Sequence, residues 1–305
     1  MKGFFMSSLF SFRGVATALV TPMQRDGSID EQALRQLVDF EITNGVNGLV
    51  PCGTTGESAT LNHAEHHHVM DVVVAQTAGR VPVIVGAGSN STHEAISLTQ
   101  HARAIGANAV LSIAPYYNKP TQKGFLEHYR AITEAVDIPI IVYNVPGRTG
   151  SNINAETTLR IAELPGIAGI KEASGNIAQI MEILRHRPKN FAVLSGDDAL
   201  TLPLLALGAD GVISVVANEV PNLFSTMVKL ALDGKFAEAR ILHEELLPLM
   251  NLNFIESNPI PVKSALAMMG LIEEIYRLPL TQMSTDHRFA MRRALEELHL
   301  VETHA

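Results

Sequence analysis

The sequence predicts a (β/α)₈ barrel followed by a C-terminal helical appendage. Strand-sized apolar or β-branched runs alternate with helical stretches about eight times, at the spacing of βα units. Several runs are apolar at consecutive positions, as in Pro139-Ile-Ile-Val-Tyr143, which suits parallel strands covered on both faces. The strand signal stops after Gly234. About eight units over about 220 residues fit a barrel, whose usual size is about 250 residues. The competing architecture is an open doubly wound sheet. It lacks its glycine fingerprint here: no G-x-G-x-x-G lies between the first strand and helix, and Gly86-Ala-Gly88-Ser89 follows the third strand without a third glycine.

Residues 15–20 form a β-branched first strand. Residues 30–43 then place Leu34, Leu37, Val38 and Glu41 to Ile42 at helical spacing behind an acidic start. The pattern recurs as strand 48–51 with helix 63–77, strand 82–86 with helix 92–105, and strand 109–113 with helix 121–135. Strands 139–143, 167–171, 191–195 and 211–215 follow, each with a helical stretch behind it. Asn44-Gly45, Ile105-Gly106 and Leu207-Gly208-Ala209-Asp210 close helices before the next strand. The barrel thus spans 13–233. Beyond it, 235–252, 259–269 and 286–298 read as helices, and with no low-complexity linker the region 234–305 is expected to pack on the barrel and to be available for oligomer contacts. Residues 1–12 read as an N-terminal extension, since the apolar stretch there is very short and no small-residue cleavage site follows it.

Of the 305 residues, 47% are hydrophobic and 18% charged, and 23 Lys+Arg against 31 Asp+Glu give a net charge of −8. That balance argues against nucleic acid, which demands clustered Lys and Arg, and the composition excludes a disordered or collagenous chain. No apolar stretch approaches the roughly 20 residues of a membrane span. The single cysteine, Cys52, allows no internal disulfide and points to a reducing compartment, the cytoplasm.

In a barrel of this kind chemistry sits where the strands finish. The second strand ends in Gly53-Thr54-Thr55-Gly56-Glu57-Ser58, the fourth in Pro115-Tyr116-Tyr117-Asn118, and the fifth in Tyr143-Asn144-Val145-Pro146-Gly147-Arg148-Thr149. The sixth ends in Lys171-Glu172, the seventh in Ser195-Gly196-Asp197-Asp198, and the eighth carries Ile213-Ser214. Lys171 is the informative residue. An ammonium at the barrel mouth is partly desolvated, desolvation lowers its pKa, and a neutral amine attacks carbonyl carbon. The bland alternative is a lysine that caps its strand and pairs with Glu172 or another carboxylate. Tyr143 ends the neighbouring strand, so its phenol is placed to move protons at an adduct on Lys171, or else to plug the mouth with its hydroxyl in water. The glycine turn leaves backbone N–H groups, Thr54 and Thr55 to hold a carboxylate. Arg148, on a loop, offers a planar fork to a carboxylate, or forms a surface ion pair. His63, His66, His67 and His68 share one helix with a metal-like i, i+4 pair, but no second ligand cluster accompanies them, and a solvated helix face is the simpler reading. Cys52 has no basic neighbour, which favours buried packing over nucleophilic use.

Taken together, Gly53-Thr54-Thr55-Gly56-Glu57, Pro115-Tyr116-Tyr117, Tyr143-Asn-Val-Pro-x-Arg148-Thr149-Gly150, Lys171 and Asn258-Pro-Ile-Pro-Val-Lys263 resemble the dihydrodipicolinate synthase (4-hydroxy-tetrahydrodipicolinate synthase) family. That family belongs to the pyruvate-dependent class I aldolase superfamily, which includes N-acetylneuraminate lyase. The resemblance implies that Lys171 forms a Schiff base with pyruvate, whose enamine attacks L-aspartate 4-semialdehyde, the first committed step of diaminopimelate and lysine biosynthesis. It implies a lyase without metal or organic cofactor. Tyr143, Thr54 and Tyr117 match a proton-relay triad, with Tyr117 reaching the neighbouring subunit's site in a tight dimer. Arg148 matches the residue holding the semialdehyde carboxylate and Thr55 the pyruvate-carboxylate contact, while Gly196 and Ile213 match backbone positions lining the pyruvate pocket. A homotetramer, as a dimer of dimers, is implied. So is feedback inhibition by L-lysine, bound through Ser58, Ala59, His63, His66, Asn90, Glu94 and Tyr116. The alternatives are a sugar-acid aldolase of the same superfamily and a non-catalytic metabolite-binding barrel.

Overall fold

A computed structural model describes residues 10–302. The extension expected over 1–12 lies outside it except for its last three residues, of which Phe12 is buried. Eight strands, β1 (Gly14–Ala18), β2 (Gly48–Val50), β3 (Ile84–Gly86), β4 (Ala109–Ile113), β5 (Ile140–Asn144), β6 (Ile167–Glu172), β7 (Ala192–Ser195) and β8 (Gly211–Ser214), form one sheet. Their order is β2-β1-β8-β7-β6-β5-β4-β3. Within each unit chain neighbours are sheet neighbours: β1 pairs with β2, and β3 through β8 pair in succession, all in parallel. A doubly wound sheet would instead grow outward from an interior strand. The fold is a (β/α)₈ TIM barrel with C-terminal helices, as the sequence predicts.

The described residues cluster into two compact units. The first runs over 82–213, joined by 10–13, and alternates β3–β8 with α3 (Thr92–Ala104), α4 (Gln122–Ala135), α5 (Pro146–Thr149), α6 (Ala155–Ala162), α7 (Ile177–His186) and α8 (Thr201–Ala206). Helices α3, α4, α6 and α7 begin on polar caps, Ser91, Thr121, Asn154 and Asn176: Asn154 Oδ1 accepts from Thr157 N at 2.8 Å and Asn176 Oδ1 from Gln179 N at 3.1 Å. Each cap satisfies a donor that has no intrahelical acceptor. Every residue of β5 is buried, the consequence of covering a parallel strand on both faces.

The second unit comprises 14–81 and 214 onward: β1, β2, α1 (Glu31–Thr43), α2 (His63–Thr77), α9 (Pro221–Leu232), α10 (Phe236–Leu252), α11 (Ile260–Met268) and α12 (Thr285–Glu297). Asp30 caps α1, whose Leu34, Leu37 and Val38 are buried as their spacing predicts. Asn62 and Glu65 form a reciprocal capping box at the start of α2. In this unit α10 packs on α9 and α12, and α12 on α11. Among the described residues no helix is long and apolar enough to cross a membrane.

A device absent from the sequence expectations recurs where strands begin. Asn47, Asn108 and Asp210 each stand in the turn before a strand, after Gly45, Gly106 and Gly208. Each sends its N–H to a carbonyl of an adjacent strand's start (Val15, Val83 and Val193, at 2.7, 3.0 and 2.9 Å). Each side-chain oxygen accepts the N–H of that same residue, at 2.9, 2.8 and 2.8 Å. This two-point clamp fixes register at the strand starts. Gly208, at φ +99°, shows what the preceding turn requires: a left-handed residue without a Cβ.

Candidate active site

In the first unit, β5 and β6 pair in parallel with Tyr143 opposite Lys171. Lys171 is 6% exposed, and its Nζ lies 4.5 Å from the centre of the Tyr143 ring. Burial draws the ammonium pKa down to about 8; Asp198 opposes the shift and the positive charge of Arg148 adds to it. The strand runs one residue past Lys171, to Glu172. Successive side chains of a strand face opposite ways, and Glu172 is engaged elsewhere: its carboxylate accepts from Asn144 Nδ2 (3.1 and 3.2 Å), Ser174 N (2.8 Å) and Gln179 Nε2 (3.2 Å). The alternative in which Glu172 neutralises Lys171 does not describe this molecule.

Gly196 explains how the lysine stem fits. A Cβ on it would lie 2.6 Å from Ala173 Cβ and 3.0 Å from Lys171 Cε. Its N–H donates to Glu172 O at 2.8 Å, so the chain after β7 passes flush against β6. Ile213, on β8, is 1% exposed. Arg148 is not on a loop, as expected, but in the one-turn helix α5, too short to show periodicity and started by Pro146 at its first position. The segment behind it is tied back to β5, with Ile153 N donating to Asn144 Oδ1 at 3.0 Å and Asn144 Nδ2 to Asn152 Oδ1 at 2.8 Å. Tyr117 is 88% exposed and Tyr116 38%. Asn90 is half-buried and its carbonyl accepts from Asn118 Nδ2 at 3.0 Å. Glu94, in the first turn of α3, accepts from the Ser89 hydroxyl.

In the second unit, the turn after β2 is held from several sides. Gly56 O accepts from Thr21 Oγ1 at 2.7 Å, and Thr55, 3% exposed, accepts at Oγ1 from Asn258 Nδ2 at 3.0 Å. Glu57 and Lys263 form a fully buried ion pair at 2.5 Å. Not all of the turn's N–H groups are left to a ligand: those of Glu57 and Ser58 close it, onto Thr54 O and Gly53 O. Thr54 is half-buried. Ser58 opens a 3₁₀ turn with Ala59 exposed beside it, His63 is the exposed first residue of α2, and His66 is buried. His68 pairs with Glu31 at 3.0 Å, the solvated-face role expected for this helix. Burial pushes the Cys52 thiol pKa up, and its Sγ contacts His66 O at 3.6 Å, consistent with packing.

The model of the dihydrodipicolinate synthetase family matches residues 11–298. The chain belongs to this family. A 4-hydroxy-tetrahydrodipicolinate synthase of Prosthecochloris aestuarii is 53% identical over 292 residues, 95% of this chain and 98% of that one. A crystal structure of the chloride-inhibited dihydrodipicolinate synthase of Acinetobacter baumannii with pyruvate superposes with a TM-score of 0.93 at 45% identity, covering 95% and 99% of the two chains. The enzyme from Cyanidioschyzon merolae with lysine bound gives 0.93 at 42% identity, with the same coverage. The synthetase family thus spans the barrel and the C-terminal helices alike. The residues that sequence reasoning left without a role in this family member are Glu57, Asn144, Asn258 and Lys263. All four lie in the motifs that carry the resemblance, the only local signal available for them.

Proposed function

We propose that this chain condenses pyruvate with L-aspartate 4-semialdehyde as a 4-hydroxy-tetrahydrodipicolinate synthase. Lys171 carries the reading: its buried amine stands beside Tyr143 with a pKa of about 8, in a member of this family. At pH 7 about a tenth of such amines are neutral, against fewer than about one in a thousand for an exposed lysine. Lys171 Nζ attacks the pyruvate ketone and water leaves, forming an imine. Loss of a C3 proton gives the enamine, whose C3 bonds to the aldehyde carbon while the aldehyde oxygen takes up a proton. The semialdehyde's own amine then attacks the imine carbon, expels Lys171 and closes the ring, with one water released overall. The protonated imine is itself the electron sink, so the reaction calls for no metal or organic cofactor. Tyr143 and Thr54, with Tyr117 from a neighbouring subunit, move the protons. Arg148 holds the semialdehyde carboxylate and Thr55 that of pyruvate, and backbone at Gly196 and Ile213 lines the pocket. The exposed ring of Tyr117 supports an assembly, read as a dimer of dimers, in which one subunit completes another's site. The buried free thiol of Cys52 suits the cytoplasm.

Borohydride reduction with pyruvate, followed by peptide mass spectrometry, tests the reading. A pyruvate-sized adduct on Lys171 that diminishes when semialdehyde turns over is the expected result; no adduct would leave a binding barrel, and an adduct unaffected by semialdehyde would favour a sugar-acid aldolase. Because the neutral amine attacks, kcat/KM for pyruvate should rise with pH through about 8 and then level, falling about tenfold per unit well below that value. A flat profile down to pH 6 would contradict the lowered lysine pKa.

L-Lysine is proposed as a feedback inhibitor, held by Ser58, Ala59, His63, His66, Asn90, Glu94 and Tyr116. The carboxylate of Glu94 suits its ammonium, and the exposed ring of His63 its carboxylate. Millimolar lysine should depress the initial rate. Glu94→Gln should weaken that inhibition about tenfold, the loss expected for a charge-assisted bond, with the uninhibited rate little changed. Equal inhibition of both proteins would remove Glu94 from the site.

A further inference from the structure

We propose that Asn258 is a positioning residue that reserves the Thr55 hydroxyl proton for the carboxylate of pyruvate, and that Lys263 holds the same turn rigid. The inference rests on the synthase reading for the role of Thr55. A hydroxyl has one hydrogen to donate and two lone pairs to accept with. In this molecule the amide of Asn258 donates to Thr55 Oγ1 at 3.0 Å, with Thr55 3% and Asn258 5% exposed. Its acceptor side thus engaged by a buried donor, the hydroxyl's hydrogen is left for another group. A carboxylate is an acceptor only. Donation into Oγ1 also polarises the O–H bond and strengthens it as a donor. The Asn258 amide therefore sets both the direction and the strength of the one bond that Thr55 offers a substrate.

The flanking residues are fixed independently. Gly56 O is held by Thr21 Oγ1 at 2.7 Å, and a Cβ on Gly56 would lie 3.1 Å from both Leu19 O and Cys52 N, so the turn lies against backbone there. Glu57 has φ +54°, a left-handed conformation unfavourable for a residue with a side chain. Its carboxylate is gripped by Lys263 Nζ at 2.5 Å, itself 5.4 Å from the centre of the Tyr276 ring, and the Arg277 N–H reaches the other oxygen at 3.5 Å. Asn258 lies just before α11 and Lys263 in its first turn, so one short helix governs Thr55 and Glu57 together. Three consecutive residues are thus tethered, Thr55 and Glu57 to α11 and its approach and Gly56 to the chain just after β1. That is the rigidity a binding group needs if it is not to reorganise when substrate arrives.

The test titrates pyruvate against the borohydride-trapped adduct on Lys171, which reads pyruvate binding without the second substrate. Asn258→Ala should raise half-saturation about fivefold, the loss of one orienting bond. Asn258→Asp, nearly isosteric, should raise it at least about tenfold further, because an acceptor then competes for the Thr55 proton and sets a negative charge near the substrate's. Maximal adduct should be preserved in both. A purely space-filling role predicts the reverse order, with the isosteric Asp variant the milder one, and that order would overturn the proposal. If the Asp variant fails to fold, Thr55→Val combined with Asn258→Ala decides: the second change should add nothing to the first, whereas additive shifts would sink the idea. Absence of adduct in the unaltered protein would instead condemn the synthase reading itself, an outcome separate from either of these.

Discussion

Lys171→Ala is expected to lose the borohydride-stable pyruvate adduct altogether and to lower kcat by about three orders of magnitude or more, as removal of a covalent nucleophile does. The environment makes this the largest catalytic effect in the chain. The amine is buried, its pKa is drawn down to about 8, and its stem threads past Gly196 where a Cβ would already crowd Cε at 3.0 Å. No other lysine is placed in this way on β5 or β6. Lys171→Arg makes the companion test, since a guanidinium keeps the charge but cannot shed a proton at any pH the protein survives. It should be as inactive as the Ala variant. Retained adduct in either variant, on any residue, would overturn the assignment of Lys171 as the nucleophile.

The largest expected loss of stability follows Lys263→Met. It removes the ammonium and leaves the Glu57 carboxylate, wholly buried, without its cation. Breaking one side of a buried ion pair costs about 3–5 kcal/mol, which for a chain of this size lowers Tm by about 10 °C. Adding Glu57→Gln to Lys263→Met should recover most of that loss, because a neutral amide in the same place carries no unpaired charge. Thermal unfolding of the two single variants and the double variant measures the coupling directly. A double variant less stable than Lys263→Met alone would show that the carboxylate is satisfied without the lysine.

These two residues also mark how far the sequence could be read. Lys171 stands at the end of an apolar run, so its strand, its burial and its lowered pKa all follow from local pattern. Helix α2 lies over His63–Thr77, the range the sequence predicts, and its capping box, Asn62 with Glu65, spans only four consecutive residues. Lys263 and Glu57 are 206 positions apart, and no periodicity links them. The same holds for Asn258 and Thr55, 203 apart. Arg148 was legible as a residue but not as helical, since α5 is a single turn. Strand β3 starts at Ile84, later than Pro82, with Val83 N given to the Asn108 side chain. The barrel is encoded locally, in strands, caps and turns. The supports of its site are encoded only by the fold that brings distant residues together.

The clamps of Asn47, Asn108 and Asp210 sit where strands begin, whereas Lys171, Tyr143 and Gly196 sit where strands finish. Register is thus secured at the end opposite the chemistry. A lineage carrying this chain has freedom where it is useful: residues at the strand ends beside Lys171 can drift without loosening these clamps. The opposite rim holds the barrel's inheritance, and substitutions there should be purged for their effect on folding before any effect on turnover is felt.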